Sequence, residues 1–272
     1  MLSQKYRVKV RSFRKVVWEH YKEHGRHDLP WRRTKDPYKI MVSEVMLQQT
    51  QVSRVLEKYK SFLKKFPTVR KLAKAPFSEV LKEWSGLGYN RRAKYLHDAA
   101  KLLVKKKNLS SQAIDNLSGI GFYTKNAVRV FAFNEPHTLI ETNIRTAIIH
   151  YFFKRNNIIH DRVLKRYAEK VMQGQDPRRW HWALMDYGAH LKRSGVRNNH
   201  RSAHYTKQSK FEGSLRQVRG ATLRLLQSGP LSENQIPPRL NLGGSKERVD
   251  EALEGLAKDG LIKKKKGKWR IA

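Results

Sequence analysis

A tight Gly-x-Gly turn lies in the stretch LSGIGFYT, residues 117–124, and this stretch decides how the chain folds. Apolar residues that predict a helix follow the turn, and an acidic residue, Glu141, comes after that helix. Glycines at positions 119 and 121 let the chain turn sharply and bring backbone N–H groups close to a partner. The N-terminus of the following helix adds partial positive charge that favours an anion. The stretch therefore predicts an anion-binding turn with a carboxylate nearby for chemistry.

The charge of the chain indicates which anion is bound. The 272 residues include 58 Lys or Arg against 23 Asp or Glu, which gives a formal net charge of +35 at pH 7. Solubility alone needs a net charge of only about 2–8 for a small domain. The excess therefore indicates a nucleic acid, whose phosphates such a surface attracts. No stretch is apolar enough to span a membrane and the first residues lack the apolar core of a signal peptide, so we expect a cytoplasmic, nucleoid-associated protein without a membrane partner.

Helical periodicity dominates the first 200 residues and predicts an all-α fold. Helices are predicted at Arg11–His24, Val55–Phe66, Phe77–Glu83, Arg91–Lys105, Thr124–Phe133, Asn143–Phe153, Arg162–Met172 and Trp180–His190. A further helix carries Val45 and Met46, with Ser43 as its expected N-cap. Asn143 is a plausible N-cap of the helix that follows it.

The C-terminal region has a different pattern. A polar, basic stretch from Lys192 to Gly213 reads as a loop or a linker. Three short helices are predicted after it, at Leu215–Leu226, Ser232–Leu240 and Ser245–Asp259, and a basic β-hairpin at Leu261–Ile271. This order is typical of a winged helix. We therefore predict two domains, residues 1–212 and 213–272.

Several longer motifs accompany the Gly-x-Gly turn between Leu29 and Ala189. They are LPWR at 29–32, SEVMLQQTQV at 43–52, FPTV at 66–69 and WSGLGY at 84–89. With these motifs the chain resembles the helix-hairpin-helix DNA glycosylases, and within them the adenine-DNA glycosylase (MutY-type) branch. The resemblance implies a two-lobed, all-α enzyme with, here, a small winged-helix-like domain at its C-terminus. It also implies a monomer that flips a mismatched base out of double-stranded DNA and hydrolyses its glycosidic bond.

The resemblance implies roles for individual residues. Glu44 matches the general acid, and Glu141 stands where the family has its catalytic Asp, with Tyr123 and Asn143 at matching positions around it. The implied base pocket consists of Trp31, Arg32, Leu47 and Trp182. The implied DNA-binding residues are Gln48, Gln49, Tyr89, Gly119, Gly121, Lys125, Arg193 and Arg197. Within this last set, Gln49 and Tyr89 match the positions that wedge into the duplex.

The chain departs from the family pattern at its cluster-binding cysteines. It has no cysteine, so it holds no disulfide, no thiolate nucleophile and no thiolate-ligated iron–sulfur cluster. The residues at the matching spacing are Lys192, Asn199, Ser202 and Gln208. A zinc site built from His190, His200 and His204 would lack an obvious fourth ligand, so a basic DNA-contacting loop is favoured. We expect no metal or cofactor for the chemistry, although the resemblance allows a monovalent cation on the carbonyls of the hairpin.

Two further departures leave the excised base open. Glu141 is one methylene longer than the family's Asp, and Trp182 falls where the branch often has a polar residue. The favoured substrate is adenine in a mispair, and the alternative is thymine or uracil opposite guanine. Tyr123 occupies the position at which lyase-active relatives carry a Schiff-base Lys, so a monofunctional enzyme is expected. A non-catalytic DNA-binding regulator is the alternative from a different class.

Overall fold

The computed structural model describes residues 4–107, 109–154, 157–203, 205, 210–240 and 246–272, and these residues are mostly helical. The helices that begin before residue 120 are α1 (Gln4–His24), α2 (Pro37–Leu47), α3 (Val52–Lys65), α4 (Val69–Lys74), α5 (Phe77–Trp84), α6 (Arg91–Lys105) and α7 (Ser111–Asp115). The later helices are α8 (Phe122–Phe133), α9 (Thr142–Phe152), α10 (Asp161–Met172), α11 (Pro177–Arg193), α12 (Leu215–Gln227) and α13 (Lys246–Lys258). The strands are β1 (Leu231–Ser232), β2 (Ile262–Lys265) and β3 (Lys268–Ile271).

The chain divides into two compact units, each made of two segments. The first unit consists of Met1–Ile40 and Phe122–Lys207, and the second of Met41–Gly121 and Gln208–Ala272. The all-α class with a small C-terminal sheet is as the sequence predicts. The domain boundary after residue 212 stays a prediction, because the two units follow packing and not chain order.

The first unit is built around α11, which packs against α9, α1 and α8. Its aromatic core joins α1 to α11 and α9. The ring of Phe13 contacts that of Trp180 edge-on at 6.3 Å between centroids and that of Phe152 at 5.1 Å. Phe13 and Trp180 are both fully buried. Burying such rings stabilises the fold and anchors the C-terminal end of α9 at Phe152.

The second unit combines a helical part with the C-terminal sheet. In the helical part α4 packs against α6, and the ring of Phe62 meets that of Trp84 at 6.0 Å. In the C-terminal part α12 packs against α13 and β3. The strands form an antiparallel sheet in the order β1-β3-β2, in which Leu231 pairs with Trp269. This sheet beside two helices agrees with the winged-helix prediction.

The wing is a two-residue hairpin between β2 and β3. Lys266 and Gly267 connect the strands with φ angles of 50° and 69°. Two central residues with positive φ suit the twist of an antiparallel hairpin, and Gly adopts this conformation without steric cost. The turn presents the exposed lysines of β2 to solvent.

Three local predictions are wrong. The predicted helix Ser232–Leu240 is instead strand β1 followed by 3-10 turns at Glu233–Gln235 and Pro237–Arg239, because two consecutive prolines remove the N–H groups that an α-helix needs. Ser43 does not begin α2. That helix starts at Pro37, where the carboxylate of Asp36 accepts a hydrogen bond from the backbone N–H of Tyr38 at 2.9 Å.

The third error concerns α9, because its N-cap is Glu141 and not Asn143. The short helices α4 and α7 are not predicted by periodicity at all. Their N-caps are Thr68 and Ser110, whose side chains accept hydrogen bonds from backbone N–H groups of the first turn.

Candidate active site

Glu141 sits at the N-terminus of α9 in the first unit. Its Oε1 accepts hydrogen bonds from the backbone N–H groups of Asn143 and Ile144, both at 2.8 Å. These N–H groups have no partner within the helix, so the carboxylate satisfies them and lies in the positive end of the helix dipole. The side chain is thereby fixed by the backbone and not by a flexible partner.

Burial has the largest influence on the protonation of Glu141. Desolvation raises the pKa of its carboxyl above the ordinary value, although the two backbone hydrogen bonds and the charges of Lys192 and Arg145 act in the opposite direction. A half-buried carboxylate that is held by the backbone suits the stabilisation of a developing positive charge.

A basic cavity of about 580 Å³ adjoins this helix end. Among the residues that line it are three predicted for the site, Asn143, Arg193 and Arg197, together with Lys192. The cavity therefore brings a catalytic candidate and two DNA-binding candidates together in one unit. Its cations match a phosphate-bearing ligand.

The loop that follows α11 is held to α9 by hydrogen bonds. Asn198 Nδ2 donates to the carbonyl of Thr146 at 3.1 Å, and Thr146 Oγ1 lies 3.0 Å from Asn199 Oδ1. Arg201 Nη1 donates to the carbonyl of Phe153 at 3.0 Å. Three of the four positions at which the cysteines of the family would fall, Asn199, Ser202 and Gln208, belong to this loop, and the fourth, Lys192, lies in α11.

Within the described ranges no three His, Asp or Glu side chains form a group that could hold a metal ion. Two of the candidate positions in this loop lie outside those ranges, namely His204 of the zinc alternative and Gln208 at the last cysteine position. The cation at the hairpin stays a prediction. No helix in the described part of the chain has the length and apolar content needed to cross a membrane.

The Gly-x-Gly turn places its two glycines in different environments. Gly119 has a φ of 75°, and a Cβ there would lie 2.5 Å from Cδ1 of Tyr95. Gly121 has no atom within 4 Å of such a Cβ, so nothing in the described chain explains it by packing. Open space at Gly121 fits a backbone that faces a ligand. Tyr123 and Lys125 follow on α8, both half-buried.

Glu44 lies in the second unit, near the end of α2. It is buried, with 8% of its surface exposed, beside Val45 and Met46. Leu47, the last residue of this helix, is half-buried. The role of Glu44 as a general acid stays a prediction.

The two predicted wedge residues both have left-handed backbone. Gln49 has a φ of 54° and is exposed, and Tyr89 has a φ of 47° with 37% of its surface exposed. Positive φ is uncommon for residues with a Cβ and marks functional or strained positions. The hydroxyl of Tyr89 also accepts a hydrogen bond from Arg216 of α12 at 2.8 Å.

The predicted base-pocket residues of the first unit form a tight cluster. Arg32 donates through both terminal nitrogens to Asp186, at 2.6 and 2.9 Å, and Arg26 joins the same carboxylate at 2.6 Å. Burial alone would raise the pKa of Asp186, but the hydrogen bond from Arg32 and the two guanidinium charges hold it below its usual range. Trp182 lies over Arg32 at 5.5 Å and stacks on Phe131 at 5.8 Å.

Arg32 is thus occupied by Asp186, with 4% of its side chain exposed, and Trp31 is buried as well. Trp182, half-buried, offers an aromatic face in this cluster. The base-pocket roles of Trp31, Arg32, Leu47 and Trp182 stay predictions.

Sequence reasoning missed Asp186, Arg92 and Arg216, whose importance depends on contacts that local sequence does not reveal.

Comparisons with known proteins give consistent results. A family model described as "HhH-GPD superfamily base excision DNA repair protein" matches residues 42–176. The chain is 36% identical over 182 residues to an adenine DNA glycosylase of Buchnera aphidicola subsp. Baizongia pistaciae, a match that covers 65% of this chain and 52% of that protein. This chain therefore spans about half the length of that relative.

Two further matches cover a larger share of the protein that is compared with this chain. The chain is 32% identical over 263 residues to an adenine DNA glycosylase of Mycolicibacterium smegmatis, covering 88% of this chain and 89% of that one. Among solved structures, a thermostable thymine-DNA glycosylase superposes with a TM-score of 0.59 and 28% identity, covering 68% of this chain and 88% of that one.

Proposed function

We propose that this chain, which belongs to the HhH-GPD superfamily of base excision DNA repair proteins, is a monofunctional DNA glycosylase that removes adenine from mispairs in double-stranded DNA. The observation that carries the proposal is Glu141, a half-buried carboxylate whose pKa is raised by burial and whose position is fixed by two backbone N–H groups. Ser, Thr, Asp and Asn are the favoured helix N-caps, so capping alone does not account for a Glu at this position.

The two carboxyl groups have complementary tasks in this reaction. Glu44, which is buried, acts as the general acid and protonates a ring nitrogen of the flipped adenine. The bond between the base and C1′ then breaks, and its electron pair leaves with the neutral base. Positive charge develops on the sugar, and the carboxylate of Glu141 stabilises it. Water attacks C1′, and its proton passes to the carboxylate that Glu44 became in the first step, which leaves an abasic site and restores the acid.

The absence of a nucleophilic amine at position 123 supports the monofunctional assignment. Tyr123 is the second residue of α8, and Lys125 follows two positions later, on another side of the helix. We infer that no Schiff base forms and that the DNA backbone stays intact after base removal. We further infer that the protein acts as a monomer on double-stranded DNA, in a cytoplasmic, nucleoid-associated location.

A second substrate is favoured by one observation, the similarity to the thermostable thymine-DNA glycosylase. Thymine or uracil opposite guanine is a poorer fit to Glu44, because pyrimidine departure depends less on protonation by a buried acid. An experiment must therefore distinguish adenine from thymine or uracil as the excised base.

The deciding experiment presents the protein with duplexes that each contain one mismatch and measures abasic sites under single-turnover conditions. Excision of adenine opposite guanine or an oxidised guanine is expected, without strand cleavage. Excision of thymine or uracil opposite guanine would replace the substrate but keep the reaction. Tight binding to every duplex without any abasic site would refute the glycosylase and favour a DNA-binding regulator.

A further inference from the structure

The side chain of Arg92 lies buried in the second unit between two loops. Arg92 is on the first turn of α6 and has 7% of its surface exposed. One terminal nitrogen, Nη1, donates to three backbone carbonyls, those of Val45, Met46 and Gln48. The other, Nη2, donates to the carbonyls of Leu87 and Gly88, both at 3.0 Å, and to Thr50 Oγ1 at 3.1 Å. The guanidinium therefore connects the loop after α2 to the loop before α6.

Two of these six acceptors occupy equivalent positions. The carbonyl of Gln48 belongs to the peptide bond that precedes Gln49, and the carbonyl of Gly88 to the one that precedes Tyr89. Gln49 and Tyr89 are the residues with φ of 54° and 47°. Because φ is the rotation about N–Cα between the preceding, planar peptide and the rest of the residue, holding the carbonyl of that peptide restrains the angle. One side chain thus holds both left-handed residues.

We propose that Arg92 is a positioning residue that fixes the backbone of Gln49 and Tyr89, so that both side chains are ready to enter the duplex as the target base leaves. The proposal rests on the glycosylase function proposed above. Left-handed backbone is unfavourable for residues with a Cβ, so these conformations persist only where the surroundings stabilise them. Arg92 supplies that stabilisation from a single buried point.

The chemistry of the guanidinium suits this task better than that of an ammonium. Its planar fork presents two nitrogens in fixed directions, one toward each loop, whereas Lys has a single nitrogen. Burial lowers the pKa of Arg92 to about 10, which still leaves the group cationic at neutral pH. The carbonyls at the C-terminal end of α2 also favour a cation. The guanidinium lies 5.5 Å from the ring of Trp84, which packs against it.

Arg92→Lys tests the proposal because it retains the charge and removes the fork. Arg178→Lys is the matched control, because Arg178 donates to the carbonyls of Phe131 at 2.7 Å and Ala132 at 2.9 Å, outside the two loops. Each protein is given a paired duplex and a duplex whose target base is opposite an abasic site. An unpaired base costs less to extrude, so it depends less on the wedge residues.

We expect Arg92→Lys to slow single-turnover excision from the paired duplex by about 10²-fold, the scale of a small misplacement. Excision from the unpaired duplex should stay within a few-fold of the parent, and Arg178→Lys should cleave both duplexes like the parent. Fluorescence of a 2-aminopurine target at saturating protein reports unstacking without chemistry. It should rise for the parent and much less for Arg92→Lys.

Two outcomes would overturn the proposal. Parental excision and parental fluorescence in Arg92→Lys would show that the fork is not needed. An equal loss on both duplexes, with a lowered melting temperature, would show that Arg92 only supports the fold. Failure of the proposed function would give a different result. The parent protein would then cleave neither duplex, whatever its effect on the fluorescence.

Discussion

Replacing Glu141 by Gln separates the charge of the carboxylate from its hydrogen bonds. The amide oxygen of Gln can still accept from the N–H groups of Asn143 and Ile144, which lie 2.8 Å from Oε1, so α9 stays capped. The negative charge that stabilises the sugar cation in the proposed mechanism is lost. Removing one preorganised electrostatic contact of this kind costs about 10²–10³-fold in rate. We expect that loss in single-turnover excision, with DNA affinity kept.

The same substitution should stabilise the folded protein at neutral pH. The pKa of Glu141 is raised in the folded state, so the folded carboxyl binds its proton more tightly than the unfolded one. Ionisation therefore costs stability once the pH rises above the ordinary pKa, and the cost is complete above the raised pKa. Glu141→Gln removes it, and its melting temperature should exceed that of the parent at neutral pH and match it in acid.

Glu141→Asp tests the position of the charge. Asp is a favoured N-cap, so α9 should tolerate it, but the carboxylate withdraws by one methylene. A misplacement of about 1 Å can cost about 10²-fold in rate. Excision is measured by quenched-flow or manual sampling of abasic sites with enzyme in excess. Parental excision by Glu141→Gln would show that this carboxylate is not catalytic, and the proposed mechanism would fail.

Three further predictions concern stability and DNA affinity. Asp186→Asn leaves two guanidinium groups against a neutral amide. Because the side chain of Asp186 is only 2% exposed, the free energy of unfolding in urea should fall by about 3–5 kcal/mol. A change near zero would mean that the two ion pairs contribute little. Gly119→Ala places a methyl 2.5 Å from Tyr95 at a φ of 75° and should lose about 1–3 kcal/mol, whereas Gly121→Ala, which has open space, should melt like the parent. Replacing Lys263–Lys266 by Gln should reduce the slope of log affinity against log salt by about 0.9 for each lysine that neutralises a phosphate, and an unchanged slope would show that the wing does not touch DNA.

The helices that periodicity predicts well are those with a long apolar face. The predicted bounds Arg91–Lys105 coincide with α6, because its buried residues recur every three or four positions over the whole length. The C-terminal hairpin was predictable for a similar reason, since apolar residues flank a basic turn that ends in Gly267. Local patterns suffice where local interactions decide the structure.

Contacts between distant residues explain what the sequence did not reveal. Glu is a poor N-cap in general, and its use at the start of α9 depends on burial in the first unit. Arg92 is one of 58 basic residues, and only the convergence of two loops on its side chain distinguishes it. The pairing of Arg32 with Asp186 spans 154 positions. Motif resemblance located Arg32 but could not show that its donors are occupied.

The way in which the loop after α11 is held in place has a consequence for its dependence on iron. Asn198 and Arg201 tie this loop to backbone carbonyls at Thr146 and Phe153, and the chain has no thiolate to hold a cluster. Chelators and oxidants destroy thiolate-bound clusters by removing metal or electrons, and they have no such target here. The contacts that Asn198 and Arg201 make therefore do not depend on iron or on the redox state of the surroundings.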